Sequence, residues 1–159
     1  MIYLVDSSVY IHGFRDADFG EALRDFHRQW LPSMVLSAVV VHELLVGAAT
    51  SRKAQSLQRG MAEPFRARRR LHVPARHTWE LAARVDRRLR KQPALATKLR
   101  TRSFANDMLI AASAREIGAA VLTENMDDFG LISSVLDIRC VQPWPDWPLD
   151  QRTPVRRTH

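Results

Sequence analysis

The sequence holds a single cysteine, Cys140, among 159 residues. It can form neither an internal disulfide nor a zinc site built from thiolates, and it fits a reducing compartment, which we expect to be the cytoplasm. Long apolar runs are also missing. The longest uncharged stretch around the strongest apolar segment, Gln29 to Val41, is 13 residues and contains Pro32, well short of the roughly 20 that cross a bilayer. No membrane partner is expected. The opening MIYLVD has no basic run and meets an acid at Asp6, so it is expected to begin the fold rather than act as a secretory leader. The six glycines fall in neither G-x-G-x-x-G nor G-x-x-x-x-G-K-S/T, which removes the common dinucleotide and P-loop signatures. His42-Glu43 begins like the HExxH zinc motif, but Val46 stands where the second ligand belongs.

What is present is an ordinary globular composition, 46% apolar and 26% charged, with a net charge of +7. One domain is the expectation. The charge is unevenly spread: Arg52 to Arg102 carries 16 Lys or Arg against three acids, a balance of +13, and the remaining residues sum to −6. A basic arm between acidic flanks suggests that the arm attracts a polyanion, foremost nucleic acid, while the flanks concentrate carboxylates. The alternative is a set of exposed helices decorated with Arg, and the run RARRR, Arg66 to Arg70, does not decide between them.

Periodicity supplies the elements. Ile2 to Val5 reads as a buried strand ending at Asp6, with Ser7 or Ser8 placed to cap a short helix. Asp18 to Trp30 alternates as an amphipathic helix stopped by Pro32. Met34 to Ser37 reads as a second strand, with Ser37 capping a helix from Ala38 to Ala49. Two helices, about Arg52 to Arg69 and Arg76 to Gln92, flank a short third strand at LHVP. After a basic loop to Arg102, a helix from Asn106 to Ile117 closes at Gly118. The strand Ala119 to Thr123, a turn from Glu124 to Gly130 and a last strand, Leu136 to Val141, complete the layout. Single buried strands alternating with helices predict a parallel α/β sheet. The tail from residue 142, with four of the eight prolines plus Trp144 and Trp147, is expected to lie extended.

Four acidic positions then draw together. Asp6 ends the first strand, and the carboxyl ends of strands in open parallel sheets are where ligands bind; helix capping is its alternative role. Glu43 falls outside the apolar stripe of its helix, on the side of Gly47, whose missing side chain would admit another chain segment or a substrate. Its alternative is a solvated surface acid. Asp107 opens the Ala-rich helix and could serve its dipole instead. The turn TENMDDFG offers Glu124, Asn125, Asp127 and Asp128, residues that turns also attract for backbone reasons. In a parallel sheet these positions converge on one edge, where several carboxylates without a compensating lysine would repel. A hard divalent cation, Mg²⁺ or Mn²⁺, is the simple remedy. Beside a polycationic arm, such a site suits phosphodiester hydrolysis. His12, His27, His72 and His77 lack metal spacing and read as surface or packing residues.

YLVDSS at Tyr3 to Ser8, SAVVVHELLVGA at Ser37 to Ala48, NDMLIAASA at Asn106 to Ala114 and LTENMDDFG at Leu122 to Gly130 resemble the PIN-domain nucleases, and their order and spacing resemble the VapC toxin branch. The resemblance covers residues 1–141 and leaves 142–159 as a separate tail. It implies a three-layer α/β/α domain with a central, mainly parallel sheet of four to five strands, a homodimer, Mg²⁺-dependent cleavage of RNA, and inhibition by an antitoxin protein. The family's acids fall on Asp6, Glu43 and Asp107, with Asp128 and Asn125 competing for the fourth place. Asp6 and Asp107 are expected to hold the ion, Glu43 to hold it or orient the attacking water, and Thr123 and Ser7 to position water or phosphate. Arg66, Arg68, Arg69, Arg70, Arg100 and Arg102 would grip the RNA backbone. The rival readings are an RNA-processing or DNA nuclease of the same fold, and a nucleic-acid-binding protein without catalysis.

Overall fold

A computed structural model describes residues 1–143; the expected extended tail with its two Trp lies almost entirely outside the described residues. The strands are β1 (Ile2–Val5), β2 (Met34–Ser37), β3 (Leu71–His72), β4 (Ala119–Leu122) and β5 (Arg139–Val141), joined through helices α1 (Ser7–Arg15), α2 (Ala17–Trp30), α3 (Ala38–Val46), α4 (Ser51–Leu57), α5 (Glu63–Ala67), α6 (Arg76–Leu89), α7 (Arg102–Ile117) and α8 (Met126–Ser133). All strands pair in parallel, in the order β3-β2-β1-β4-β5, giving the expected three-layer α/β/α architecture. β1 and β4 are central, and their side chains Leu4, Val5, Ala120, Val121 and Leu122 are buried. That is why they read as unbroken apolar runs and not as alternating ones.

The chain winds outward from β1 in one direction through β2 and β3, and in the other through β4 and β5. Neighbouring connections therefore leave the sheet on opposite sides between β1 and β4, opening a crevice at their carboxyl ends. Asp6 follows β1 and Thr123 follows β4, so both stand at this switch point. The register Val5↔Leu122 places them side by side, and the Asp6 amide donates to the Leu122 carbonyl at 2.9 Å.

Several boundaries differ from the sequence expectation, each for a local reason. Residues expected as a turn after β4 form α8, because Asp127 and Asp128 occupy its first turn, where the helix dipole favours acids, and Phe129 and Ile132 are buried beneath it. Helix α7 starts at Arg102, one turn earlier than Asn106: the Thr101 hydroxyl caps it by accepting from the Phe104 amide, and Phe104 is buried. Arg102 in that first turn disguised it, since a cation there opposes the dipole. The single helix expected near Arg52 to Arg69 is α4 and α5 joined by a π turn, Gln58–Ala62, and the last strand is shorter than Leu136 to Val141. Gly118 closes α7 at φ +65°, as expected of a left-handed cap. A close approach occurs at Gly20, where a Cβ would lie 2.4 Å from the Gly13 carbonyl oxygen, so α1 and α2 meet there backbone to backbone.

Candidate active site

Asp6 is 2% exposed. It precedes α1, yet its carboxylate makes no capping bond to the helix, so the capping alternative does not apply. Its Oδ2 instead accepts from the hydroxyls of Ser8 at 2.6 Å and Thr123 at 2.8 Å. Thr123, fully buried, also accepts from the Asn125 amide at 3.0 Å, and Ser8 accepts from the Glu124 amide at 3.2 Å. These bonds tie the exits of β1 and β4 together and hold Asp6 in one orientation. Its second oxygen, Oδ1, is buried without a hydrogen-bond partner.

Glu43, on α3, repeats the pattern. Its Oε1 accepts from Asn106 Nδ2 at 3.0 Å, while Oε2 is buried and unpartnered. Burial raises its pKa; the Asn106 amide and the neighbouring Ser7 hydroxyl act the other way, and the Asp6 charge adds to the rise. Gly47 does not supply the expected approach to a second chain segment: a Cβ there would meet only carbonyls of its own helix at 3.5 and 3.7 Å.

Asp107 lies in the second turn of α7, not at its start, and is 5% exposed. Burial first, then the charges of Asp6, Glu43 and Asp128, push its pKa up to about 8. Four acids of four separate elements thus act on one another electrostatically. The two candidates for the fourth place stand together: Asn125 Nδ2 donates to Asp107 Oδ2 at 3.3 Å and to Asp128 Oδ2 at 3.1 Å. A compensating lysine, absent from the sequence expectation, is present. Lys98 Nζ bonds Asp128 Oδ1. It comes from a short 3₁₀ turn, Lys98–Arg100, between α6 and α7, and one lysine among the 16 basic residues of the arm carried no signal of this placement.

The donor set fits a hard divalent cation. Leaving a charged oxygen buried and unpaired costs about 1–3 kcal/mol or more, and Asp6 Oδ1 and Glu43 Oε2 are two such atoms at one rim. Among the described residues no three Asp, Glu, His or Cys side chains close around a common point as a ready cage. Mg²⁺ does not require one, since it keeps several waters and takes one or two carboxylates.

The basic candidates divide. Arg100 and Arg102 are exposed beside Lys98, at the start of the helix that carries Asp107. Arg66 to Arg70 precede β3 and enter the sheet from the end opposite the acidic rim. Arg66 pairs with Glu63 and Arg68 donates to the Pro64 carbonyl. The histidines are packing or surface groups: His12 stacks on Phe19 and bonds Glu124 at 2.9 Å, His72 and His77 face Glu116, and His27 packs edge-on against Tyr10. Ser8, Asn106 and Lys98 are the site residues that sequence reasoning did not assign to the site.

The fold, the switch-point rim and its acids define a class, the phosphodiester-hydrolysing PIN domains, which are generally nucleases. The PIN domain family model matches residues 3–132, and the chain belongs to that family. Among solved structures, VapBC-1 from nontypeable Haemophilus influenzae is similar at 25% identity with a TM-score of 0.62, covering 89% of this chain and 98% of that one. VapBC2 from Rickettsia felis bound to a promoter DNA fragment is similar at 18% identity with a TM-score of 0.59, covering 93% and 100%. FitAcB from Neisseria gonorrhoeae is similar at 21% identity with a TM-score of 0.56, covering 90% and 99%. A comparison with curated proteins finds no match. Among the described residues no helix is long and apolar enough to cross a membrane.

Proposed function

We propose that the chain is a Mg²⁺-dependent endoribonuclease and the toxin of a toxin–antitoxin pair. The observation that carries the metal reading is the paired state of Asp6 and Glu43: each has one carboxylate oxygen pinned by neighbours and the other buried and free. Asp6, Glu43 and Asp107 would hold the ion. When bound, it supplies the positive charge that makes water a nucleophile at neutral pH and offsets charge on the phosphoryl group. The protein's own part is orientation. Ser8 and Thr123 fix Asp6, Asn106 fixes Glu43, and Asn125 spaces Asp107 from Asp128. Ser7 and Thr123 would position water or phosphate. Arg100 and Arg102 would lead the RNA backbone to the rim, giving affinity that falls with salt and carries little base information; Arg66, Arg68, Arg69 and Arg70, at the other end of the sheet, would be a separate contact to the same backbone.

The antitoxin reading rests on the similarity to complexes described as VapBC and FitAcB. We place the partner in the groove of about 500 Å³ between α1, α2 and α4, lined by Tyr10, Phe14, Leu23, His27, Leu57 and Met61. Phe14 is 50% exposed there, and Tyr10 Oη and His27 Nε2 are buried without partners. Arg24 and Arg28 at its margin suit an acidic amphipathic segment. A homodimer and residence in the cytoplasm complete the reading, with residues 1–141 as the nuclease domain and 142–159 as an appended tail.

The test is hydrolysis of RNA and of DNA by purified protein with Mg²⁺ or Mn²⁺, against Asp6→Asn and Asp107→Asn. RNA cleavage lost in both variants is expected. Cleavage unchanged in both would end the assignment, and cleavage of DNA alone would move it to the rival substrate.

A further inference from the structure

Asp128 differs from Asp6 and Glu43 in that both of its oxygens are engaged by the protein: Oδ1 by the Lys98 ammonium, Oδ2 by the Asn125 amide at 3.1 Å. The ammonium is fixed in place. Leu99 beside it is buried, Leu95 packs on the core, and the Thr101 hydroxyl that caps α7 also donates to the Lys98 carbonyl at 2.7 Å. The Lys98 Nζ stands 5.7 Å from the ring centroid of the buried Phe104, a distance at which the ring face attracts a cation. On the other side of Asp128, Asn125 is a neutral amide that offers one coordinating oxygen and no charge.

We propose that Lys98 takes the place of a second divalent ion: the site binds one such cation, on the side of Asp6, Glu43 and Asp107, and the Lys98 ammonium supplies the second positive charge at Asp128. The inference rests on the metal-dependent reading above and adds the number of ions and the residue that sets it. Removing either cation from the pair should expose the arrangement. Two carboxylates bridged by Asn125 become available once the ammonium is gone, and hard cations bind where carboxylates are unneutralised. Lys98 is a positioning residue in this account, holding Asp128 and neutralising it.

Calorimetric titration of the full chain with MnCl₂ tests this, with manganese electron paramagnetic resonance as a second readout. The wild type should bind one Mn²⁺ per chain, Lys98→Gln should gain a second, weaker one with spin coupling between the two, and Lys98→Arg should remain at one. Lys98→Gln combined with Asp128→Asn should return to one. Lys98 is a partly exposed side chain on a turn, and thermal melting of each variant confirms that it is folded. Two Mn²⁺ in the wild type, or one in a folded Lys98→Gln, would overturn the role of Lys98 and leave the metal reading standing. No Mn²⁺ bound to the wild type would overturn both.

Discussion

Asp107→Asn should stabilise the metal-free protein while abolishing cleavage. The Asp107 carboxyl binds its proton more tightly when folded, with a pKa of about 8, than at its ordinary value of 3.8. Acid therefore favours the folded state, and stability is lost as pH rises from about 4 to about 8. Integrating that difference gives a cost of at most about 2 kcal/mol at pH 5, about 4 at pH 7 and nearly 6 at pH 9. Asn keeps the shape and can still accept from Asn125, yet it carries no charge to desolvate. For a chain of this size 1 kcal/mol moves the melting temperature by roughly 2–4 °C, so in EDTA at pH 8, where the cost is at most about 5 kcal/mol, the variant should melt up to roughly 10–20 °C above the wild type, with the gap closing toward pH 4. Saturating Mn²⁺ should raise the wild type and not the variant, since a ligand stabilises only the state that binds it. A variant that melts lower in EDTA at pH 8, or a gap of constant size across the pH range, would refute the reasoning.

His27 is the opposite case. Burial lowers its pKa to about 4 from 6.5, so the unfolded chain takes up the proton first, and stability falls as pH drops from 6.5 to 4 by up to about 3 kcal/mol. His27→Phe keeps the ring contacts with Tyr10 and Phe65 and should flatten that acid limb in pH-dependent melting. Asn125→Asp would place a third carboxylate between Asp107 and Asp128; it should lower the melting temperature in EDTA and tighten Mn²⁺ binding, read by calorimetry. Phe129→Ala, at a fully buried position on α8, should cost about 3–5 kcal/mol, measured by urea denaturation, and so leave little folded protein at 37 °C.

The central strands and the acids at their ends were legible because burial and chemistry point the same way there. A strand covered on both faces must be apolar throughout, so Ile2–Val5 and Ala119–Leu122 stand out against any helical period, and an acid following such a run is conspicuous. The helix ends were obscured where two effects opposed each other. Arg102 at the start of α7 works against the dipole, and only the burial of Phe104, a tertiary fact, outweighs it. Asp127, Asp128 and Gly130 match a turn in composition, although the first two equally suit a helix start, and Phe129 decides between them by its packing. Lys98 shows a stricter limit. Its pairing with Asp128 spans 30 residues and depends on Leu99 anchoring a 3₁₀ turn next to α7, which neither periodicity nor charge counting reports. Sixteen basic residues in the arm are alike in sequence, and folding distinguishes one of them by pairing its charge with Asp128. The expected remedy for carboxylate repulsion, an external cation alone, is thereby shared with one that the chain carries itself.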